Sequence, residues 1–319
     1  MKKYFITGYS GFVAQHFMDY LELLQERVTV LGVDMNEVEE KKNYHFVQCS
    51  FLKLNLLDAE GVNKILFEFQ PDYLLHLASY SSVAYSWKNP VSAFVNNTNI
   101  FLNLVEQIRL LKLPCKVLSV GSSEEYGNVS ESQLPVREET VTKATSPYAV
   151  ARISQEMLST IYAKDYNVDI VLTRSFNHIG AGQKDTFVVP SFAKKLVDIK
   201  KGLTCTDSIK VGNISLIRDF VDVRDVVRAY YLLLQHGKSG EAYNICTGVG
   251  TSLKQILMQM MQYLELSLTI TADSNLIRPD DIKIVIGSNK KIFEEVGWQP
   301  EIPLEKSLAD IIDYWMQKT

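Results

Sequence analysis

The 319-residue sequence holds only four cysteines, Cys49, Cys115, Cys205 and Cys246, and they are scattered. No CxxC pair occurs, so neither a disulfide framework nor a zinc site is expected. They read as reduced thiols of a cytoplasmic protein. Long apolar runs are missing as well, none approaching the ~18 residues of a membrane span. From Met1-Lys2-Lys3 the chain passes directly into Tyr4-Phe5-Ile6-Thr7, an apolar stretch too short for the core of a secretory signal. There is no polybasic run and no arginine-rich stripe, and the formal charge is -4. Nucleic acid is therefore not an expected partner, and a small molecule is. Internal repeats and low-complexity linkers are also absent. The composition that remains, 46% hydrophobic and 22% charged, is that of an ordinary globular chain long enough for one large domain and a smaller one.

Short apolar, β-rich runs recur at Tyr4–Thr7, Val28–Val33, His45–Cys49, Tyr73–Leu77, Lys116–Val120 and Val168–Thr173, and most are separated by segments of helical period. That alternation predicts an α/β fold, a doubly wound parallel sheet of Rossmann type with helices on both faces. One helix is expected from Val91 to about Leu111. Another starts at Ser146-Pro147, where serine caps and proline suits the first helical position, and runs to roughly Asp165. Beyond Arg174 the pattern is irregular, then returns to a helix at Val223–Leu234 and a strand at Tyr243–Cys246. The expected division is residues 1–176 plus about 222–246 for the sheet domain, and about 177–221 plus 247–319 for a smaller C-terminal α/β substrate domain.

The first strand leads into Thr7-Gly8-Tyr9-Ser10-Gly11-Phe12-Val13-Ala14 and then a helix, the setting that a dinucleotide fingerprint requires. Glycines at 8 and 11 permit a tight turn and let backbone N–H groups approach a pyrophosphate at the positive end of the helix. The second strand ends on Asp34, an acid placed to accept from a ribose 2′-hydroxyl and to repel a 2′-phosphate. NAD(H) is favoured on this ground, with NADP(H) left open.

Tyr148 and Arg152 lie four residues apart on a predicted helix, hence on one face, where a cation can stabilise a phenolate. The strand Lys116–Val120 runs out into Gly121-Ser122-Ser123-Glu124-Glu125-Tyr126-Gly127, bringing hydroxyls to the carboxyl edge of the sheet. With His76-Leu77-Ala78, Asn177, Arg218-Asp219-Phe220, Arg278-Pro279 and Gly297-Trp298-Gln299-Pro300, these motifs resemble the extended short-chain dehydrogenase/reductase family over essentially the whole chain. Within it, Ser122–Gly127, Ser175–Gly180 and Val211-Gly212-Asn213 are most similar to GDP-4-keto-6-deoxy-mannose reductases, and next to GDP-mannose 4,6-dehydratases.

The resemblance implies an NAD(P)H-dependent reduction of a GDP-linked 4-keto-6-deoxy sugar by a homodimer. It makes Tyr148 the proton donor to the sugar carbonyl, with Ser122 and Ser123 as candidates to hold that oxygen and Glu124 as an acid/base beside them. Cofactor contacts fall on Gly8, Ser10, Gly11, Phe12, Val13, Asp34, Asn55, Leu56, Leu77, Ala78, Ser79, Tyr148 and Arg152. Substrate contacts fall on Ser123, Glu124, Asn177, Val188, Arg218, Arg278 and Asp281, with the two arginines gripping the diphosphate through their planar forks. The chain departs from the family at Arg152, which replaces a lysine, at Asn55, which replaces an acid, at Ile100-Phe101, which replace a small pair, and at Asp281, which replaces a glutamate. Arg224-Asp225 is expected to be a surface ion pair of little energetic weight, and His76 and His178 to serve in packing or hydrogen bonding. Dehydration of GDP-mannose is the second reading, with Glu124 taking the C5 proton, and 4-epimerisation the third. A non-catalytic NAD(H) sensor is the reading from another class.

Overall fold

Strands with apolar side chains on both faces assemble into one parallel sheet in the computed structural model, which describes residues 1–38, 42–273, 276 and 282–318. In chain order the strands are β1 (Lys2–Thr7), β2 (Val28–Asp34), β3 (Val47–Lys53), β4 (Tyr73–His76), β5 (Lys116–Ser122), β6 (Ile170–Ser175), β7 (Asn177–Ile179), β8 (Ser208–Val211), β9 (Ile217–Asp222), β10 (Ala242–Ile245), β11 (Gly250–Ser252), β12 (Thr269–Ala272) and β13 (Ile284–Val285). The helices are α1 (Phe12–Leu23), α2 (Ala59–Phe69), α3 (Val83–Lys88), α4 (Pro90–Phe94), α5 (Ile100–Leu111), α6 (Pro147–Asp165), α7 (Val188–Lys200), α8 (Val223–His236), α9 (Leu253–Tyr263), α10 (Lys290–Val296) and α11 (Leu304–Lys318).

Across the main sheet the order is β10-β6-β5-β4-β1-β2-β3, with every neighbour parallel. The α/β, doubly wound class expected from the alternation is what forms. The order reverses between β1 and β4, which leaves a crevice at the carboxyl ends of those strands. One face of the sheet is covered by a core containing Phe17 and Met18 of α1 with Val226 and Tyr230 of α8. The other is covered by Leu66 of α2, Phe101 and Leu104 of α5, and Tyr162 of α6. A separate core of Phe192, Leu196, Ile256, Met260, Ile311 and Trp315 joins α7, α9 and α11. Beside it lie the small sheet built on β9 and the β8-β12 pair.

Two elements differ from expectation. The third strand begins at Val47, not His45, because the Glu22 carboxylate accepts the N–H groups of His45, Phe46 and Val47 and holds that stretch to α1. The helix expected over Val91–Leu111 is broken into α4, a π-helical turn over Val95–Asn99, and α5. Inside that turn Asn97 is fully buried, and its amide both accepts from Tyr80 N–H at 2.7 Å and donates to Tyr80 C=O at 3.0 Å. The widened turn thus fastens the segment after β4. Phe101 is fully buried with its ring 5.4 Å from that of His76, a burial that by area alone is worth ~1.5–3 kcal/mol.

Candidate active site

The chain turns at Gly8 with φ +67°, a conformation that side chains oppose. A Cβ there would lie 2.8 Å from Ala78 N and 2.9 Å from the Leu77 carbonyl carbon, so the segment after β4 crosses directly over the turn. Thr7 holds that crossing in place: its Oγ1 accepts from both Leu77 N–H and Ala78 N–H at 3.1 Å, and it also meets His76 Nδ1 at 2.9 Å. Burial pushes the His76 imidazole down to about 3, so the ring is neutral and structural. Gly11 N–H donates to Gly8 C=O and Gly11 serves as N-cap of α1, with no side chain capping the helix and no acid in its first turn. The first N–H groups of α1 therefore face the crevice as an anion cradle.

At the end of β2, Asp34 Oδ2 accepts from Ser10 N–H (3.0 Å) and Ser10 Oγ (2.7 Å), while Oδ1 accepts from Asn36 N–H. Asn55 turns the chain after β3 by accepting Leu57 N–H on Oδ1, and Asn103 of α5 donates to the carbonyl of Leu56. Phe12 and His178 stack with centroids 6.3 Å apart, and burial lowers the His178 pKa to about 4.

Helix α6 starts as its sequence dictates, with Ser146 capping Ala149 N–H and Pro147 at the first position. Tyr148 and Arg152 are both nearly buried, and Arg152 Nε donates to Tyr148 Oη at 3.1 Å. The same guanidinium gives Nη1 to Val120 C=O (2.9 Å) and Gln155 Oε1 (2.8 Å), and Nη2 to Ser79 Oγ (2.6 Å). Gln155 is in turn fixed by donating to Ser119 Oγ at 2.9 Å. Four acceptors around one planar cation make a seat shaped for guanidinium.

After β5, Ser122 Oγ accepts Glu124 N–H and closes a 3₁₀ turn over Ser123–Tyr126. Ser123, by contrast, makes no side-chain hydrogen bond among the described residues. On the opposite wall, Asp219 of β9 is fully buried and accepts from Thr247 N–H, Thr247 Oγ1, Gly248 N–H and Gly287 N–H. Its neighbour Arg218 turns to the crevice.

A cavity of about 1210 Å³ runs between these walls. It is lined by Gly8, Ser10, Gly11, Phe12, Val13, Asp34, Asn55, Leu56, Leu77, Ala78 and Ser79 at one end and by Ser122, Ser123, Glu124, Tyr148 and Arg152 at the middle. Asn177, Val188 and Arg218 line the far end. Arg278 and Asp281 lie outside the described residues. A family model described as GDP-mannose 4,6 dehydratase matches residues 5–311.

The chain belongs to this family. A GDP-6-deoxy-D-mannose reductase of Pseudomonas aeruginosa is 31% identical over 98% of this chain and 97% of its own length. A GDP-mannose 4,6-dehydratase of Vibrio cholerae is 27% identical over 98% and 93%. The structure of RMD from Pseudomonas aeruginosa complexed with NADPH superimposes with a TM-score of 0.88 at 30% identity over the whole of both chains. A Thermus thermophilus UDP-glucose 4-epimerase in complex with NAD gives 0.86 at 26%, covering 99% of this chain and 100% of that one. A nicotinamide cofactor thus suits this GDP-mannose 4,6-dehydratase family member, and the glycine cradle and uncapped α1 fit one. Enzyme relatives of this kind are nucleotide-sugar reductases and dehydratases, and the chain is an oxidoreductase of that class.

One ion pair differs from its sequence reading. Arg224 does not pair with Asp225: it reaches back to the N-cap Asp222 (2.7 Å) and across to Asp310 (2.9 Å), because Asp222 faces the helix start that Arg224 overhangs. Asp225 instead accepts from Arg228 and from the N–H groups of Glu301 and Ile302. Apart from Tyr148, the partners of Arg152 were not evident from the sequence. Gln155 stood at the i+3 helical spacing from Arg152 that marks it, whereas Ser79 and Val120 are brought there only by the fold.

Proposed function

We propose that this chain reduces a GDP-linked 4-keto-6-deoxy sugar with NAD(H) as the preferred cofactor. The observation that carries the reading is the Arg152 to Tyr148 hydrogen bond at 3.1 Å, within the cavity that joins the glycine cradle to Arg218. Gly8, Gly11 and the N–H groups at the start of α1 would hold the pyrophosphate, and Asp34 and Asn55 the adenosine. When bound, the nicotinamide supplies the hydride.

The chain's own residues do the rest. Tyr148 delivers its phenolic proton to the carbonyl oxygen as charge develops there, and Arg152, which stays charged throughout, stabilises the phenolate left behind. Ser122 and Ser123 are the hydroxyls placed to bind the carbonyl oxygen, and Ser122, which accepts Glu124 N–H, still has its own O–H to donate. Arg218, joined by Arg278 and Asp281, grips the diphosphate and ribose, with Asn177 and Val188 beside the sugar nucleotide. In this reading the sheet unit of 1–176 plus about 222–246 holds the cofactor and 177–221 plus 247–319 the substrate. Preference for NAD(H) rests on the Asp34 carboxylate, whose charge opposes a 2′-phosphate.

Val150, Met157 and Ile161 share one exposed face of α6, with Val91 and Phe94 of α4 beside it. That stripe supports a homodimer. Dehydration is favoured by one feature, Glu124 beside Ser123 in the cavity. The deciding experiment offers purified protein GDP-mannose and GDP-4-keto-6-deoxy-mannose, each with and without NADH. NADH consumption with the keto sugar alone supports reduction, and conversion of GDP-mannose without added NADH overturns it.

A further inference from the structure

Beneath the Ser122–Glu124 turn lies a buried group with no part in that scheme. Glu125 is fully buried, and its Oε1 accepts Ser122 N–H at 2.6 Å. The backbone is shaped around it: a Cβ on Gly121 would fall 2.5 Å from Glu125 Oε1 and 2.4 Å from Thr173 C=O. The other oxygen, Oε2, finds no donor among the described residues. Its nearest cation is Arg174 of β6, whose Nε stands 3.9 Å away.

That guanidinium is engaged elsewhere. It gives Nε and Nη2 to the two oxygens of Glu156 on α6 at 2.8 and 2.6 Å, and Nη1 to Glu138 C=O at 2.9 Å. The Tyr126 ring lies against it at 4.8 Å, and the Glu138 carboxyl is turned to Asn244 N–H. Two carboxyls therefore share one cation inside the protein. Were both ionised, a net negative charge would be buried without a second partner, which interiors resist by retaining a proton.

We infer that Glu125 keeps a proton at neutral pH, shared with Glu156, and that Glu125 is the positioning residue for the turn that carries Ser122, Ser123 and Glu124. Burial first and the Glu156 charge second push Glu125 well above the ordinary carboxylate range. Burial also opposes ionisation of Glu156, but the Arg174 hydrogen bonds hold it below that range. Glu156 sits one helical turn beyond Arg152, so the shared proton ties the helix of Tyr148 to the turn of Ser123.

The sign of the pH effect follows. Between the range where an unfolded glutamate ionises and the raised value in the folded chain, the native state binds more protons, so stability falls as pH rises. Loss of the proton sets two carboxylates against each other and releases the turn, so kcat declines on the alkaline side while cofactor affinity holds.

Glu125→Gln retains the acceptor for Ser122 N–H and presents a permanent N–H toward Glu156, whereas Glu125→Ala removes both. Kinetics and melting temperature across pH are the measurement, with an infrared difference spectrum for a protonated carboxyl. Glu125→Gln is expected to stay within about threefold of wild-type kcat at neutral pH, and Glu125→Ala to lose about tenfold or more with cofactor Kd within about twofold. Glu125→Gln should also lose the alkaline decline in rate and melting temperature, and the wild-type carboxyl band. Superimposable pH profiles for wild type and Glu125→Gln, or equal damage from both variants, would overturn the inference, as would absence of the carboxyl band in wild type. Only the kinetic readout rests on the proposed substrate. Failure of that proposal leaves the infrared and melting measurements to decide.

Discussion

At the Gly8 end of the crevice the wall is backbone against backbone, whereas at the Arg152 end one guanidinium meets acceptors from α6, β5 and the segment after β4. The first wall is set by what is missing, a Cβ, and leaves no room for adjustment. The second is a network of side chains whose members can be exchanged singly, each at a graded cost. The difference teaches where a substitution abolishes a function and where it only tunes one.

The largest effect is expected from Gly8→Ala, which must place a methyl within 3 Å of Ala78 N at φ +67°. Cofactor binding by titration calorimetry should weaken by about 100-fold or more, because the turn has to move away from the pyrophosphate. Retained affinity would mean that the cradle is not backbone-limited. At the other end, Arg152→Lys should lower kcat by about tenfold and stability by about 1–3 kcal/mol, since one ammonium cannot satisfy the four buried acceptors in their present positions. Steady-state kinetics and chemical denaturation check this, and a lysine variant as active as wild type would show the seat to be indifferent to the cation's shape. The smallest effect is expected at the cradle's rim. Asp34→Asn removes the charge yet keeps the acceptor facing Ser10, and should shift the ratio of kcat/KM for NADPH over NADH upward by about three- to tenfold. An unchanged ratio would remove Asp34 as the source of preference.

The same contrast explains what the sequence disclosed. The parallel sheet was legible because apolar runs alternate with helical periods, and the glycine turn because its geometry is completed within Thr7–Ala14. The start of α6 was legible from Ser146-Pro147 for the same local reason. The break at Val95–Asn99 was not, because it depends on the Asn97 amide finding Tyr80 across a loop. Nor was the start of β3, decided by Glu22 from another element. Glu156 and Arg174 stand 18 residues apart, on a helix and the strand that follows it, and no local pattern announces that they meet over Glu125. Arg152 was visible as a departure from its family, but its compensation by Ser79, Gln155 and Val120 needed three dimensions.

Asp219 has a mechanical consequence. One carboxylate on β9 gathers donors from the stretch after β10 and from Gly287 after β13, next to the arginine that turns toward the crevice. All four bonds lie within the wall that carries Arg218, so the loop after β10 and the chain after β13 are stapled to β9, and the arginine next to Asp219 is presented from a stiff mount.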